Sequence, residues 1–263
     1  MILYFSGTGN SKHVARSLAN LLDDDAVYMP SWSPESLSPA KHRLCFVFPV
    51  YSWGVPPMVL DYISKLSDSF VRRAIGDAIP VCMVCTCGDD AGKADVMLRK
   101  ALNRRGLILS GVWSVIMPNT YVLLPGFNTD SQKVTDKKLR ESEQKIREIA
   151  SCIAAEKWRT DIKRGAAAWL KTWIVYPLFM KFAMNPRKWR ATQECVRCGR
   201  CVSFCPVRNI TMHPYGPSWG HNCMSCLSCW HKCPANAIAY GRITSSKSQY
   251  HCPLRPLHHI AGE

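Results

Sequence analysis

Short, continuous apolar runs alternate with longer stretches of mixed polarity along the first half of the chain. A short continuous apolar run predicts a strand that is buried on both faces, whereas apolar positions recurring every three or four residues predict a helix with one buried face. The predicted strands cover residues 1–5, 26–29, 44–50, 80–86 and 111–117, and the clearest predicted helices cover 12–22, 58–66, 94–107 and 130–157. This order predicts an α/β fold with a doubly wound, five-stranded parallel sheet in residues 1–155.

The last third of the chain contains one cysteine pattern written twice, 28 residues apart. The cysteines are Cys195, Cys198, Cys201 and Cys205 in the first copy and Cys223, Cys226, Cys229 and Cys233 in the second. Three closely spaced thiolates on one loop can face a single four-iron cluster, with the fourth ligand coming from elsewhere in the fold. Zinc is the alternative, but structural zinc sites usually take two Cys-x-x-Cys pairs joined by a longer spacer. The pattern therefore predicts 4Fe-4S clusters.

Over residues 191–243 the repeated pattern resembles bacterial two-cluster ferredoxins. In that family the last cysteine of each repeat ligates the cluster of the other repeat. The resemblance implies one cluster on Cys195, Cys198, Cys201 and Cys233, and a second on Cys223, Cys226, Cys229 and Cys205. It also implies a small α+β domain over residues 191–247 that transfers single electrons at low potential.

A polar turn of sequence Ser-Gly-Thr-Gly-Asn-Ser, residues 6–11, follows the first predicted strand and opens the first predicted helix. Backbone N–H groups and the helix dipole at such a place can hold a phosphate. The spacing matches neither the dinucleotide fingerprint nor the Walker A loop. Clusters of these residue types also form ordinary turns, which is the alternative interpretation.

Two more loops, residues 51–56 and 87–92, follow predicted strands, and ligands of doubly wound sheets bind at these strand ends. Together the three loops resemble those that surround FMN in flavodoxins. The resemblance implies an FMN site formed by Ser6, Thr8, Gly9, Asn10, Ser11, Tyr51, Ser52, Trp53, Gly54, Cys87 and Gly88. Trp53 would stack on the flavin ring, unless it is a core or an interface aromatic, and the Gly54 peptide would meet flavin N5. Cys87 and Gly88 stand where many flavodoxins have an aromatic residue.

Other residues that could bind a metal or act in catalysis have simpler interpretations. Cys82 and Cys85 lie on one predicted strand at positions that point to opposite faces, which indicates buried thiols and not a metal pair. Asp89 and Asp90 are predicted to cap a helix and not to act as paired catalytic carboxylates. No spacing among the eight histidines matches a metal motif, so they are interpreted as structural or surface groups.

Residues 165–184 are apolar and aromatic but contain Lys171, Pro177 and Lys181. These features favour a connecting helix over a membrane span, with an interfacial membrane helix as the alternative. The formal net charge of the chain is +15. Two clusters would remove roughly four charges and a flavin phosphate up to about two more. The remaining positive charge favours an acidic redox protein as partner, then a membrane surface; nucleic acid is not expected.

The whole chain resembles a family in which a flavodoxin-like domain precedes a two-cluster ferredoxin. The predicted parts are an FMN-binding domain (1–155), a basic aromatic linker (156–190), a two-cluster domain (191–247) and a C-terminal tail (248–263). This arrangement implies an electron-transfer protein without its own organic substrate and without catalytic residues. The start of the sequence shows no export signal and the 14 cysteines suit a reducing compartment, so the expected location is the cytoplasm. A flavin-dependent reductase of a small molecule such as a quinone is the alternative, and a basic scaffold module with structural metal is the non-redox alternative.

Overall fold

The computed structural model describes residues 1–37 and 42–259; residues 260–263 of the predicted tail lie outside the described residues. An all-parallel sheet of order β2-β1-β3-β4-β5-β6 forms the centre of the N-terminal part. Its strands are β1 (Ile2–Tyr4), β2 (Ala26–Tyr28), β3 (Leu44–Pro49), β4 (Val81–Cys87), β5 (Leu109–Ile116) and β6 (Thr160–Asp161). The order of the first five strands is that of a flavodoxin-like sheet, which confirms the predicted fold class.

The prediction of five strands is wrong by one, because β6 extends the sheet beyond β5. This two-residue strand pairs with Val112 and Trp113. The backbone N–H of Lys163 then donates to the Ser114 hydroxyl at 2.8 Å. A two-residue strand is too short to show an alternating pattern in the sequence, so only its pairing in the folded chain reveals it.

Helices cover both faces of the sheet. They are α1 (Asn10–Leu22), α2 (Pro57–Ser64), α3 (Asp68–Gly76), α4 (Ala94–Asn103) and α5 (Gln132–Ala154), with 3-10 turns at Met29–Ser31 and Pro34–Ser36. Helix α3 was not among the predicted helices; it begins after Ser67, whose hydroxyl accepts from the backbone N–H of Phe70 at 3.2 Å. That bond satisfies one of the free donors at the helix start.

The apolar core lies in two layers, one on each face of the sheet. Cys82 packs in the layer that contains α1 and α5, and Cys85 packs in the layer that contains α2, α3 and α4. Burial raises the pKa of both thiols, so they are protonated core residues. The interpretation of these two cysteines as buried thiols on opposite faces agrees with the structure.

The cysteine repeats lie in a small unit with two antiparallel strand pairs. Its elements are β7 (Trp189–Ala191), α6 (Arg200–Ser203), β8 (Ile210–His213), β9 (Gly216–Trp219), α7 (Ser228–His231) and β10 (Ile238–Tyr240), preceded by a 3-10 turn at Pro186–Lys188. Strand β10 pairs with β7 and β8 pairs with β9. Trp189 and Tyr240 meet edge to face at 4.9 Å between ring centroids, in a core that also includes Val122 and Leu123 from the loop after β5.

A helix of alternating α and π turns connects the two units. Its pieces are Ala168–Leu170, Lys171–Val175, Tyr176–Leu178 and Phe179–Ala183, and we call 168–183 the linker helix. None of the helices in the described part of the chain is both long and apolar enough to cross a membrane. After the cysteine unit, the tail returns to α1, where the backbone N–H of Leu257 donates to the Ser17 hydroxyl at 2.9 Å.

Candidate iron-sulfur centres and the predicted flavin site

The structure brings the eight repeat cysteines together in two separate cavities. Cys195, Cys198, Cys201 and Cys233 line one cavity, and Cys205, Cys223, Cys226 and Cys229 line the other. Each cavity thus takes three cysteines from one repeat and the last cysteine from the other repeat. This grouping is the one that the ferredoxin resemblance implies. Ligation of iron by these residues stays a prediction.

Backbone N–H groups point at the last cysteine of each repeat. The N–H of Asn209 donates to Sγ of Cys205 at 3.2 Å, and the N–H of Ala237 donates to Sγ of Cys233 at 3.2 Å. Both donors lie four residues after their cysteine, past the Cys-Pro turn of the repeat. Such N–H···S bonds stabilise thiolate charge and shift the reduction potential of a cluster.

The two cavities differ in their distance from solvent. Cys198 in the first group is exposed, and exposed Arg197 and Arg200 flank it. In the second group, burial and the neighbouring Cys223 together raise the pKa of the Cys226 thiol to about 12. A thiol in such surroundings becomes a thiolate only with a bound cation. Among the described residues, no three His, Cys, Asp or Glu side chains form a site for a single metal ion.

The second cysteine group lies over the carboxyl ends of β1 and β3. A Cβ added to Gly7 would overlap the backbone carbonyl oxygen of Cys226. Burial, followed by the charges of Cys226 and Cys223, raises the pKa of Tyr51 well above its ordinary value. The second group therefore stands at the switch point of the sheet, where doubly wound folds bind their ligands.

The predicted phosphate loop makes its hydrogen bonds within the chain. The Ser6 hydroxyl accepts from the backbone N–H of Gly9 at 3.2 Å, and the Ser11 hydroxyl is 2.8 Å from the Thr86 hydroxyl. The carbonyl oxygen of Thr8 accepts from the backbone N–H of Cys252 at 3.4 Å. Gly9 precedes α1 with φ 109°, a conformation that glycine adopts without strain.

Asn10, the first residue of α1, connects three distant segments. Its side-chain amide donates to the carbonyl oxygen of Pro118 at 3.0 Å, and its side-chain oxygen accepts from the phenol of Tyr250 at 2.7 Å. Asn10 is buried. Both hydrogen-bonding ends of this side chain are therefore directed to the protein and not to an open phosphate cradle.

The loop that carries Trp53 is held by the linker helix. The Thr172 hydroxyl donates to the carbonyl oxygen of Trp53 at 2.7 Å, and the Lys171 ammonium lies 5.0 Å from the centroid of the Trp53 ring. The phenol of Tyr176 donates to the carbonyl oxygen of Val55 at 2.7 Å, and a Cβ added to Gly54 would overlap the Tyr176 ring. Ser52 and Trp53 adopt positive φ. The linker helix thus covers the position that the resemblance assigns to the flavin ring.

The third loop, after β4, is covered by a residue from the loop after β5. A Cβ added to Gly88 would overlap the side-chain oxygen of Asn119. Burial raises the pKa of the Cys87 thiol to about 12. The predicted helix cap at Asp89 or Asp90 is wrong, because α4 begins at Ala94 and has no side-chain cap. Asp90 instead forms an ion pair with Lys171 of the linker helix at 2.7 Å.

Three glycines of the loops predicted to surround FMN are packed against distant parts of the chain. At Gly7, Gly54 and Gly88 the chain's own atoms fill the space into which a side chain would grow. The occupying groups are Cys226, Tyr176 and Asn119, all distant in sequence from the glycines that they cover. Sequence reasoning missed Thr172, Tyr176 and Tyr250, since no local pattern marks a residue that packs across domains.

Comparison with known proteins bears on both units. The profile of the 4Fe-4S binding domain family matches residues 192–211, which contain the first cysteine run. A search of curated proteins found no match. Among solved structures, the Trp repressor binding protein from Bacillus subtilis matches with 17% identity and a TM-score of 0.40, covering 58% of this chain and 95% of its own. The NAD(P)H:quinone oxidoreductase from Methanothermobacter marburgensis matches with 14% identity and a TM-score of 0.36, covering 56% of this chain and 94% of its own.

The family match supports at least one 4Fe-4S cluster in this chain. Together with the two cysteine groups, this match supports an iron-sulfur redox protein whose N-terminal part has a flavodoxin-like fold.

Proposed function

We propose that this protein is a one-electron carrier with two 4Fe-4S clusters, which exchange electrons with an external redox protein. The main support for the proposal is that the eight cysteines line two cavities, four in each, and that each cavity contains cysteines from both repeats. Two cavities that exchange their fourth cysteine need the whole fold of a two-cluster ferredoxin.

Each cavity would hold one cubane, and each cubane would take up or release one electron. The chain's own groups set the conditions for that step: four thiolates hold the iron, and the N–H groups of Asn209 and Ala237 stabilise sulfur charge. Because the second group is packed against the sheet unit, its cluster would be shielded from water. For the proposed carrier we keep the domain boundaries that the sequence predicts, which are 1–155, 156–190, 191–247 and 248–263.

The external partner would dock where the first group reaches the surface. Cys198 is exposed there, between exposed Arg197 and Arg200. Positive charge around an electron exit guides an acidic protein by long-range attraction and accelerates association at low salt. Free thiols and clusters persist in a reducing compartment, so the proposed place of action is the cytoplasm.

FMN remains a prediction, and the proposed electron path does not include it. The flavodoxin-like topology and the polar loop at the start of α1 support the flavin, whereas the packing of Tyr176 on Gly54 opposes it. The alternative, reduction of a quinone over an open flavin face, needs that same covered surface. The carrier is therefore the function that the geometry supports best.

The test is anaerobic purification followed by measurement of iron, acid-labile sulfide and released flavin per chain. The carrier requires roughly eight iron and eight sulfide. Roughly four of each would limit the protein to one cluster and refute the two-cluster proposal. The flavin content is interpreted separately from the iron content. One FMN per chain would place the flavin in the electron path. Iron without flavin would mean that the sheet unit only supports the cysteine unit.

A further inference from the structure

The linker helix has one polar, docked side and one apolar, exposed side. Thr172 and Tyr176 donate their hydrogen bonds to the loop after β3. On the other side an apolar stripe runs along the helix at steps of four residues. Its members are Leu170, Ile174, Leu178 and Phe182, which are between 42% and 66% exposed.

Trp169 extends the stripe at its start and is 57% exposed. Large apolar side chains scattered singly over a surface need no explanation, but a continuous stripe marks an interaction site. The docked side is held by the bonds to Trp53 and Val55 and by the Lys171–Asp90 ion pair. The helix therefore presents its stripe outward as a fixed feature of the fold.

The charge around the stripe decides what it contacts. Between residues 162 and 193 the chain has seven basic residues and no acidic residue. Lys181, Arg187 and Lys188 are exposed, and no ion pair to any of them is present in the described ranges 1–37 and 42–259. A second copy of this chain would bring like charges together, which costs free energy. An anionic lipid surface complements them.

We propose that the linker helix lies in the surface of an anionic bilayer, with its apolar stripe inserted and its basic residues on lipid phosphates. Trp, Leu and Phe on one face, with Lys and Arg beside them, are the features of helices that lie in a membrane surface. At 1.5 Å per residue, 168–183 extends about 24 Å, less than the roughly 30 Å of a hydrocarbon core. The proposed contact would hold the redox protein beside the membrane.

The experiment is co-sedimentation of the full-length, cluster-loaded chain with vesicles. One set of vesicles contains phosphatidylglycerol and phosphatidylcholine, and the other contains phosphatidylcholine alone. The test variant carries Leu178→Asp and Phe182→Asp, both at exposed positions. The control is Ile108→Asp, which places one such charge at an apolar side chain that is 75% exposed but far from the stripe in sequence.

The wild type and Ile108→Asp are expected to bind the anionic vesicles, and the double variant to bind about tenfold or more weakly. Added salt is expected to weaken binding, because basic residues supply part of it. Wild-type chain that remains in the supernatant, or a double variant that binds equally well, would overturn the proposal. So would a wild-type dimer, seen by sedimentation velocity without lipid, that the double variant dissociates. Iron and sulfide content is measured separately, so failure here leaves the carrier function standing.

Discussion

The phenol of Tyr176 donates a hydrogen bond to the carbonyl oxygen of Val55 at 2.7 Å, while its ring lies on Gly54. The flavodoxin resemblance assigns the Gly54 peptide to flavin N5. A phenol ring and a flavin ring cannot occupy the same space. If the flavin ring lies where the resemblance assigns it, docking of the linker helix and binding of the ring exclude each other at this loop.

Replacement of Tyr176 by alanine tests this exclusion. We expect Tyr176→Ala to bind FMN about tenfold or more tightly than the wild type, because the wild type must first displace the ring and break its hydrogen bond. Quenching of flavin fluorescence during titration measures the affinity. The control is Tyr215→Ala, which removes a phenol that is 98% exposed. If the wild type bound FMN as tightly as Tyr176→Ala does, the predicted residues would bind FMN without hindrance from the linker helix.

Gly7 is the position at which the second cysteine group meets the sheet unit. Gly7→Ala would force the carbonyl of Cys226 away, since backbone cannot move as a side-chain end does. We expect the variant to lose about half of its iron or to unfold several degrees lower than the wild type. Iron analysis and thermal unfolding under argon measure both effects.

Gly76→Ala is the matched control for that change, because no atom lies within 4 Å of an added Cβ there. Gly76 is the last residue of α3, and alanine in a helix is neutral or stabilising by up to about 1 kcal/mol. If both variants behave alike, the contact between Gly7 and Cys226 has no role in holding the second group.

Pairs of cysteine substitutions test the sharing of ligands between repeats. If Cys205 and Cys226 hold the same cluster, the double variant Cys205→Ser, Cys226→Ser should keep roughly four iron per chain, as either single variant does. The pair Cys205→Ser, Cys198→Ser should lose nearly all iron, because it removes a ligand from each cluster. The reverse result would assign Cys205 to the cluster of its own repeat.

His13 is expected to make the stability of the sheet unit depend on pH. Burial lowers the pKa of His13 to about 4, and the backbone at Arg255 offsets part of that shift. The folded state favours the neutral ring, so its contribution is complete above the ordinary pKa of about 6.5 and is lost as pH falls towards 4. Between pH 7 and pH 5 the loss is about 2 kcal/mol.

Thermal unfolding measures this effect as a difference between variants. The midpoint of His13→Gln is expected to fall about 5 °C less than that of the wild type between pH 7 and pH 5. His259→Gln, at an exposed position, serves as control and should follow the wild type. An equal fall in all three proteins would mean that His13 is not buried as a neutral ring.

The alternation of strands and helices could be predicted because each element has its own periodicity. Strand β4 is apolar except for Thr86 and is buried throughout, and α5 repeats its apolar positions at helical spacing. Strand β6 was missed because a two-residue strand contains too few residues for a period. Its formation depends on the neighbouring strand β5, which the chain supplies elsewhere.

The amino-acid sequence by itself determined the two cysteine runs and the alternation of strands and helices in the sheet unit, because both depend on spacing between near neighbours. It also placed three polar loops at the strand ends. Only the tertiary structure decided what covers those loops. Cys226, Tyr176 and Tyr250 lie more than a hundred residues from the loops they contact, and such long-range packing has no local pattern. The flavin site at the switch point stays a prediction from the sequence, and the intrachain contacts there are what the tertiary structure adds.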